Sequence, residues 1–355
     1  MLPSTCLGAD ISAKSAVVID ARLGKVLYEK NARQRMSMAS TTKIMTALCA
    51  LEEGNLDKTV TVDDRAIGVE GSSMYLTKGE TLTLEELVYG LMLSSGNDAA
   101  VAIACAVSGG VEEFASLMNK KAKEIGVMDT GFKNPNGLDE EGHYTTAYDL
   151  ALITAYAMKN DKFRKIVSTY QTTVTGPEGK RYLTNHNKLL KRMDGCIGVK
   201  TGFTKKSGRC LVSACERDGI TLVGVTLNAP DDWNDHIKMM DAAYPKIELK
   251  KVFEEGESLG SINIKNGTKK KLDAICRAPV DIPCTEGTKY VTLVKLPSIV
   301  SAPIKKGDAV ATAEIYSDGK LIDTAEFVAS VGADEVVVRK NADSFRIIWN
   351  FFLGK

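Results

Sequence analysis

The chain has 355 residues, enough for two domains, and a hydrophobic fraction of 44% that can fill a sizeable core. Lysine and arginine total 46 against 45 aspartate and glutamate; the resulting net charge of +1 gives no general pull on nucleic acid, and no nucleic-acid partner is expected. The eight scattered cysteines contain no CxxC pair and the three histidines, His143, His186 and His236, no HExxH pattern, which argues against a zinc site, and no metal is expected.

Near the start the longest apolar run is Ala16-Val17-Val18-Ile19, too short for a secretory signal, and no stretch is long enough to span a bilayer. Residues 15–30 read as a hairpin, with β-rich segments at 15–20 and 25–28 around Arg22-Leu23-Gly24. A helix is predicted over about 41–53, ended by Gly54. Thr83-Leu84-Glu85-Glu86 is a capping box that opens a helix through Leu93. A break at 94–97 precedes an apolar helix over about 98–107. Gly109-Gly110 ends it, and another helix is predicted over 111–125. Thr146 to Asp149 caps a helix to about Lys159.

After Lys200 strands return. Segments 210–215 and 221–227 flank an Asp218-Gly219 turn, a hairpin signal. A helix over about 232–243 closes the first domain. Strands at both ends of this domain with helices between them predict one antiparallel sheet covered by helices. From about Lys246 short β-rich runs alternate with turns. Strands are expected at 289–295, 310–316 and 321–328, the last two joined by Ser317-Asp318-Gly319-Lys320. The expected division is 1–245, a small all-β domain over 246–335, and an amphipathic segment 336–355. That last segment carries Phe345, Ile347, Ile348, Trp349, Phe351, Phe352 and Leu353 and suits a membrane surface. Cys49 and Cys105 lie in apolar helical patterns and read as buried thiols, whereas Cys276 and Cys284 are candidates for a bridge in an oxidising compartment.

Three motifs occur in order: Ser40-Thr41-Thr42-Lys43 at a helix start, Ser95-Gly96-Asn97 between two helices, and Lys200-Thr201-Gly202 before the returning strands. Residues i and i+3 of a helix share a face, so Lys43 can reach the Ser40 hydroxyl. Serine becomes a nucleophile when a base takes its proton. Lysine can be that base when burial, a like charge at Lys200 and the helix N-terminus lower its pKa. Ser95 can relay a proton toward a leaving amine, and Asn97 can orient Lys43 and bond a substrate amide. Lys200 and Thr201 offer a cation and a hydroxyl to a carboxylate. Gly202 leaves room for an extended substrate, and the amides of Ser40 and Phe203 would form an oxyanion hole. Ser317-Asp318-Gly319-Lys320 and Ser261-Ile262-Asn263 match the first two patterns by chance, in β contexts that lack the required helix. The ordered trio is the specific signal.

These residues resemble those of the low-molecular-mass penicillin-binding proteins, the serine D-alanyl-D-alanine carboxypeptidases. The likeness covers most of 15–245 and extends to 38–48, Gly71-Ser72-Ser73-Met74-Tyr75-Leu76, Asn134-Pro135-Asn136-Gly137-Leu138, 185–190 and 198–204. It implies a β-lactamase/transpeptidase-like α+β domain, with a central antiparallel sheet flanked by helices, followed by a small β domain. It implies that Ser40 attacks the carbonyl between the two D-alanines of a peptidoglycan stem pentapeptide, that D-alanine leaves, and that water resolves the acyl-enzyme. β-Lactam antibiotics would acylate the same serine. The substrate places the enzyme outside the cytoplasm, at the outer face of the membrane, in a chain whose signal has been removed. A class A β-lactamase shares the trio, but the E-x-x-L-N segment that would resolve its acyl-enzyme is missing between Asn97 and Lys200. Transpeptidase or endopeptidase action changes only the acceptor. A non-catalytic wall-binding protein would not keep the trio intact.

Overall fold

In this computed structural model, which describes residues 10–176 and 179–336, the anticipated pattern of strands around helices recurs. The first half comprises β1 (Ser15–Asp20), β2 (Val26–Lys30), α1 (Lys43–Glu53), β3 (Thr59–Thr61), β4 (Thr81–Thr83), α2 (Leu84–Leu93), α3 (Asn97–Ser108) and α4 (Val111–Ile125). Next come α5 (Ala147–Ala157), α6 (Asp161–Ser168), β5 (Gln171–Gly176), β6 (Gly179–Thr184), α7 (Leu189–Arg192), β7 (Cys196–Thr204), β8 (Gly208–Arg217), β9 (Ile220–Leu227) and α8 (Asp232–Ala243). The chain divides into two units at Leu249/Lys250, a few residues beyond the expected 245/246.

The main sheet has the order β2-β1-β9-β8-β7, antiparallel throughout. Every residue of β1 is buried, as a strand covered on both faces requires. Alternation sends Val17 and Ile19 into one core, with Ile44, Leu48, Leu91 and Leu150 from the helices. Ala16 and Val18 enter the other, with Met239 and Met240 of α8. Each such large aliphatic side chain, fully buried, contributes about 1.5–3 kcal/mol. Local signals set the ends of the helices. The Thr83–Glu86 capping box forms reciprocally, Thr146 Oγ1 accepts from Asp149 N–H at 3.0 Å, and Gly126 closes α4 in the left-handed region at φ +91°. Asp218 and Gly219, at φ +50° and +77°, make the β8–β9 turn.

Two expectations shift. The segment 39–42 is a 3-10 turn that runs into α1 at Lys43, and the Lys200 motif lies inside β7, which already begins at Cys196. The hairpin β5–β6 and the short helix α6 were not anticipated.

The second unit contains β10 (Glu248–Phe253), β11 (Ser258–Lys265), β12 (Lys271–Cys276), β13 (Val280–Cys284), β14 (Tyr290–Lys295), β15 (Ile299–Ser301), β16 (Ala309–Ser317) and β17 (Lys320–Ala329). Its six-stranded sheet has the order β14-β16-β17-β12-β11-β15, and β10 pairs with β13. Phe253 meets Phe327 edge to face at 5.2 Å in its core. No bridge joins Cys276 to Cys284; the Cys276 thiol donates to Ala278 O at 3.0 Å. The amphipathic expectation for 336–355 lies outside the described residues beyond Val336.

Candidate active site

Ser40 is held in a turn that its neighbours force into shape. Ala39 adopts φ +47°, a costly conformation for a residue with a Cβ. Thr41 Oγ1 donates to Met38 O at 2.6 Å and Thr42 Oγ1 to Ala39 O at 2.8 Å. The Thr42 hydroxyl is in turn 2.8 Å from His143 Nε2, and His143 Nδ1 accepts from Lys133 N–H at 3.0 Å. That assignment leaves the proton on Nε2, which donates to Thr42. Burial lowers the His143 pKa to about 4, so the imidazole stays neutral and the turn is tied down by an uncharged network.

Two glycines let other backbones close on the same turn. A Cβ on Gly202 would sit 3.0 Å from Ser40 N and 3.1 Å from Thr41 N; one on Gly137 would sit 2.0 Å from Ala39 O. The bare position of Gly202 therefore serves the approach of the Ser40 turn to β7, a different reason from the substrate clearance expected of it. Gly202→Ala should push the turn by a few tenths of an ångström and, with Ser40 as the nucleophile expected from the sequence, slow its acylation about 10-fold. Stopped-flow kinetics with a chromogenic cephalosporin checks this, and an unchanged rate would show that the approach is not required.

Lys43 is fully buried, and its amine meets three oxygens: Ser40 Oγ at 3.0 Å, Asn97 Oδ1 at 2.6 Å and Asn136 O at 2.5 Å. Burial, then the nearby Lys200 charge, holds its pKa well below the usual lysine range, with Asp98 opposing. Asn97 is fixed at the start of α3 by its own amide, which donates to Ser72 O at 2.7 Å, and by Nδ2 donating to Glu70 O at 2.5 Å. Ser95 takes φ +58° in the break between α2 and α3. Its hydroxyl accepts from Lys200 Nζ at 3.0 Å. Lys200 is 1% exposed and also donates to Thr201 O at 2.8 Å, so its amine lies beneath Ser95 instead of facing the cleft directly. Burial lowers its pKa to about 7.

A cleft of about 430 Å³ opens over these groups and is lined by Ser40, Ser72, Ser95, His186, Thr201, Gly202, Phe203, Arg209 and Trp233, among others. Phe203 is 66% exposed at its rim. Arg209, opposite Phe203 in the β7–β8 ladder, donates to the buried Asp232 carboxylate at 3.0 Å and lies over Trp233. Burial and the Lys200 charge keep His186 below the usual imidazole range, although part of its ring meets solvent.

The structure thus gathers Ser40, Lys43 and Asn97 in one hydrogen-bonded group and Ser95 with Lys200 in a second beside the same cleft, with Thr201, Gly202 and Phe203 along the adjoining wall. Sequence reasoning gave no role to Asn136, Gly137, Asp98 or Arg209. Asp98 is 2% exposed and accepts from Ser73 Oγ at 2.6 Å, Met74 N–H at 3.0 Å and Leu76 N–H at 3.0 Å, which pins the 72–76 loop beside the cleft. The Asn134–Leu138 stretch, dense in turn formers, was the one available signal for Asn136.

A helical layer against a five-stranded antiparallel sheet, with a serine–lysine pair on the first helical turn and a Lys-Thr-Gly strand opposite, defines the class of active-site-serine penicillin-binding enzymes. Residues 3–231 match the peptidase S11 family model, described as D-alanyl-D-alanine carboxypeptidase. Residues 248–335 match the penicillin-binding protein 5 C-terminal domain. The chain is 36% identical over 323 residues to the D-alanyl-D-alanine carboxypeptidase DacF of Bacillus subtilis, covering 87% of this chain and 83% of that one. Penicillin-binding protein 5 of Haemophilus influenzae aligns with TM-score 0.66 at 27% identity, over 92% of this chain and 99% of that one. The Streptomyces K15 DD-transpeptidase aligns with TM-score 0.64 at 34% identity, over 67% of this chain and 99% of that one. The chain belongs to the peptidase S11 family and is a serine-type D-alanyl-D-alanine carboxypeptidase of peptidoglycan metabolism.

Proposed function

We propose that Ser40 is the nucleophile that removes the terminal D-alanine from stem pentapeptides, with Lys43 as its base. One observation carries the assignment. Asn97 Oδ1 and Asn136 O can only accept, so they take two protons from the Lys43 amine. A neutral amine has two protons and one lone pair. In that neutral form the lone pair is left for the third neighbour, the Ser40 hydroxyl 3.0 Å away, to which the protonated amine donates instead. The buried setting favours this uncharged form.

In the reaction, Ser40 Oγ attacks the carbonyl between the two D-alanines as its proton passes to Lys43. The amides of Ser40 and Phe203 receive the developing oxyanion; the close approach of Gly202 to Ser40 N supports their pairing. Ser95, bonded to Lys200, relays to the leaving amine the proton that Lys43 accepted, so that both end as they began, and the buried Lys200 charge assists the transfer. D-Alanine departs, and water returns the acyl group as a tetrapeptide. Thr201 and the neighbouring Arg209 offer a hydroxyl and a cation to the substrate carboxylate from the cleft wall. Penicillin follows the same path to a long-lived Ser40 ester. The peptidoglycan substrate sets the enzyme outside the cytoplasm, and the amphipathic segment 336–355 would hold it to the membrane surface.

Mass spectrometry of the penicillin-treated protein should find one adduct, on the tryptic peptide that contains Ser40. An adduct on any other residue, or none, would remove the assignment.

A further inference from the structure

Cys196 on β7 and Cys215 on β8 stand directly opposite each other in the antiparallel ladder. The adjacent bond runs from Glu216 N–H to Gly195 O at 2.8 Å, which makes theirs a non-hydrogen-bonded pair. In such pairs the Cα atoms lie about 4.5 Å apart and the side chains are at their closest. A disulfide bridges Cα separations of about 4.4–6.8 Å. Both side chains also point to one face of the sheet, for Cys215 belongs to the core beneath α8 and Cys196 packs against that core. Here both are thiols; Cys196 donates to Gly198 O at 3.3 Å and Cys215 to Asp194 O at 3.0 Å.

We propose that Cys196 and Cys215 are a covalent modification site, a cross-strand disulfide that staples β7 to β8. The need for it is visible in the sheet. β7 is an edge strand, paired only with β8, and a bulge between Cys196 and Gly198 interrupts that pairing just before Lys200. The bridge clamps the strand upstream of the bulge. Outside the cytoplasm, where this family works, such bonds persist.

The oxidant is a small-molecule disulfide such as oxidised glutathione. The Cys196 thiolate, the more exposed of the two, attacks one glutathione sulfur and expels the other as thiolate. The Cys215 thiolate then attacks Cys196 Sγ and expels the second. The two cysteines lose two protons and two electrons, and one glutathione disulfide becomes two thiols. Burial pushes the Cys196 thiol up to about 12 and raises Cys215 as well. Bridging is therefore slow at neutral pH and quickens ~10-fold per pH unit as the thiolate fraction grows.

The test incubates the full chain with oxidised glutathione at mildly alkaline pH, blocks remaining thiols with iodoacetamide in denaturant, and maps the tryptic peptides. The expected result is the Cys196 and Cys215 peptides joined, two hydrogens lighter, and separated again by reductant. The bridged protein should melt roughly 5 °C higher, a gain lost in Cys196→Ser and in Cys215→Ala. Alkyl label on both cysteines would overturn the proposal. So would glutathione retained on Cys196 with Cys215 alkylated.

Discussion

Ser40→Ala should abolish labelling by fluorescent penicillin and lower D-alanine release by more than about 10⁴-fold, with the melting temperature unchanged. The Ser40 hydroxyl anchors nothing else among the described contacts apart from the Lys43 amine. On the proposed mechanism its loss removes the atom that forms the ester, and the turn stays held by Thr41, Thr42 and His143. The measurement is release of D-alanine from a diacetyl-Lys-D-Ala-D-Ala peptide. Retention of the normal rate by the alanine variant would refute the covalent mechanism.

Lys43→Met should reduce acylation about 10³-fold, within the range expected for loss of a general base. Two effects on folding oppose each other. Methionine removes the cost of keeping a buried amine uncharged, and it strands Asn97 Oδ1 and Asn136 O without their donor. The melting temperature should therefore move by no more than about 5 °C. The wild-type enzyme supplies a companion measurement, the pH profile of kcat/KM. As the proposed base Lys43 must be unprotonated, and its pKa is depressed, so the profile rises from acid toward neutrality. Lys200 must keep its proton, and with a pKa of about 7 it loses it above neutrality, so the profile then falls. The two limbs belong to a coupled pair of amines. A flat profile, or a methionine variant with normal acylation, would exclude Lys43 as the base.

Where the chain announces its own ends, its elements were readable. Gly109-Gly110 separates α3 from α4, the Thr83–Glu86 box starts α2, and Asp218-Gly219 turns β8 into β9. Between 160 and 200 those signals thin out. Helix α6 has only eight residues, and β5 is a mostly exposed, threonine-rich strand, so neither carries a long apolar period. The Ser40–Lys43 pairing was legible because an i, i+3 relation survives the change from α-helix to 3-10 turn. The depth of Lys200 was not, because a motif does not say which face of its strand is the floor. Nor was Asn136, whose carbonyl reaches Lys43 across 93 positions of chain. Local spacing says nothing about a backbone oxygen delivered by a distant turn.

The pairing of Ser15 with Leu227 has a consequence for how the enzyme comes into being. Strand β1 has β2 beside it at once but waits for its other neighbour more than two hundred residues downstream. During synthesis the helix and turn that carry Lys43 and Ser40 therefore emerge with only the β1–β2 hairpin of the sheet to pack on. Contacts of such long separation form late and slowly. The Lys200 wall arrives with the same closing strands, and the cleft is completed in one late event, after most of the first unit has already been made.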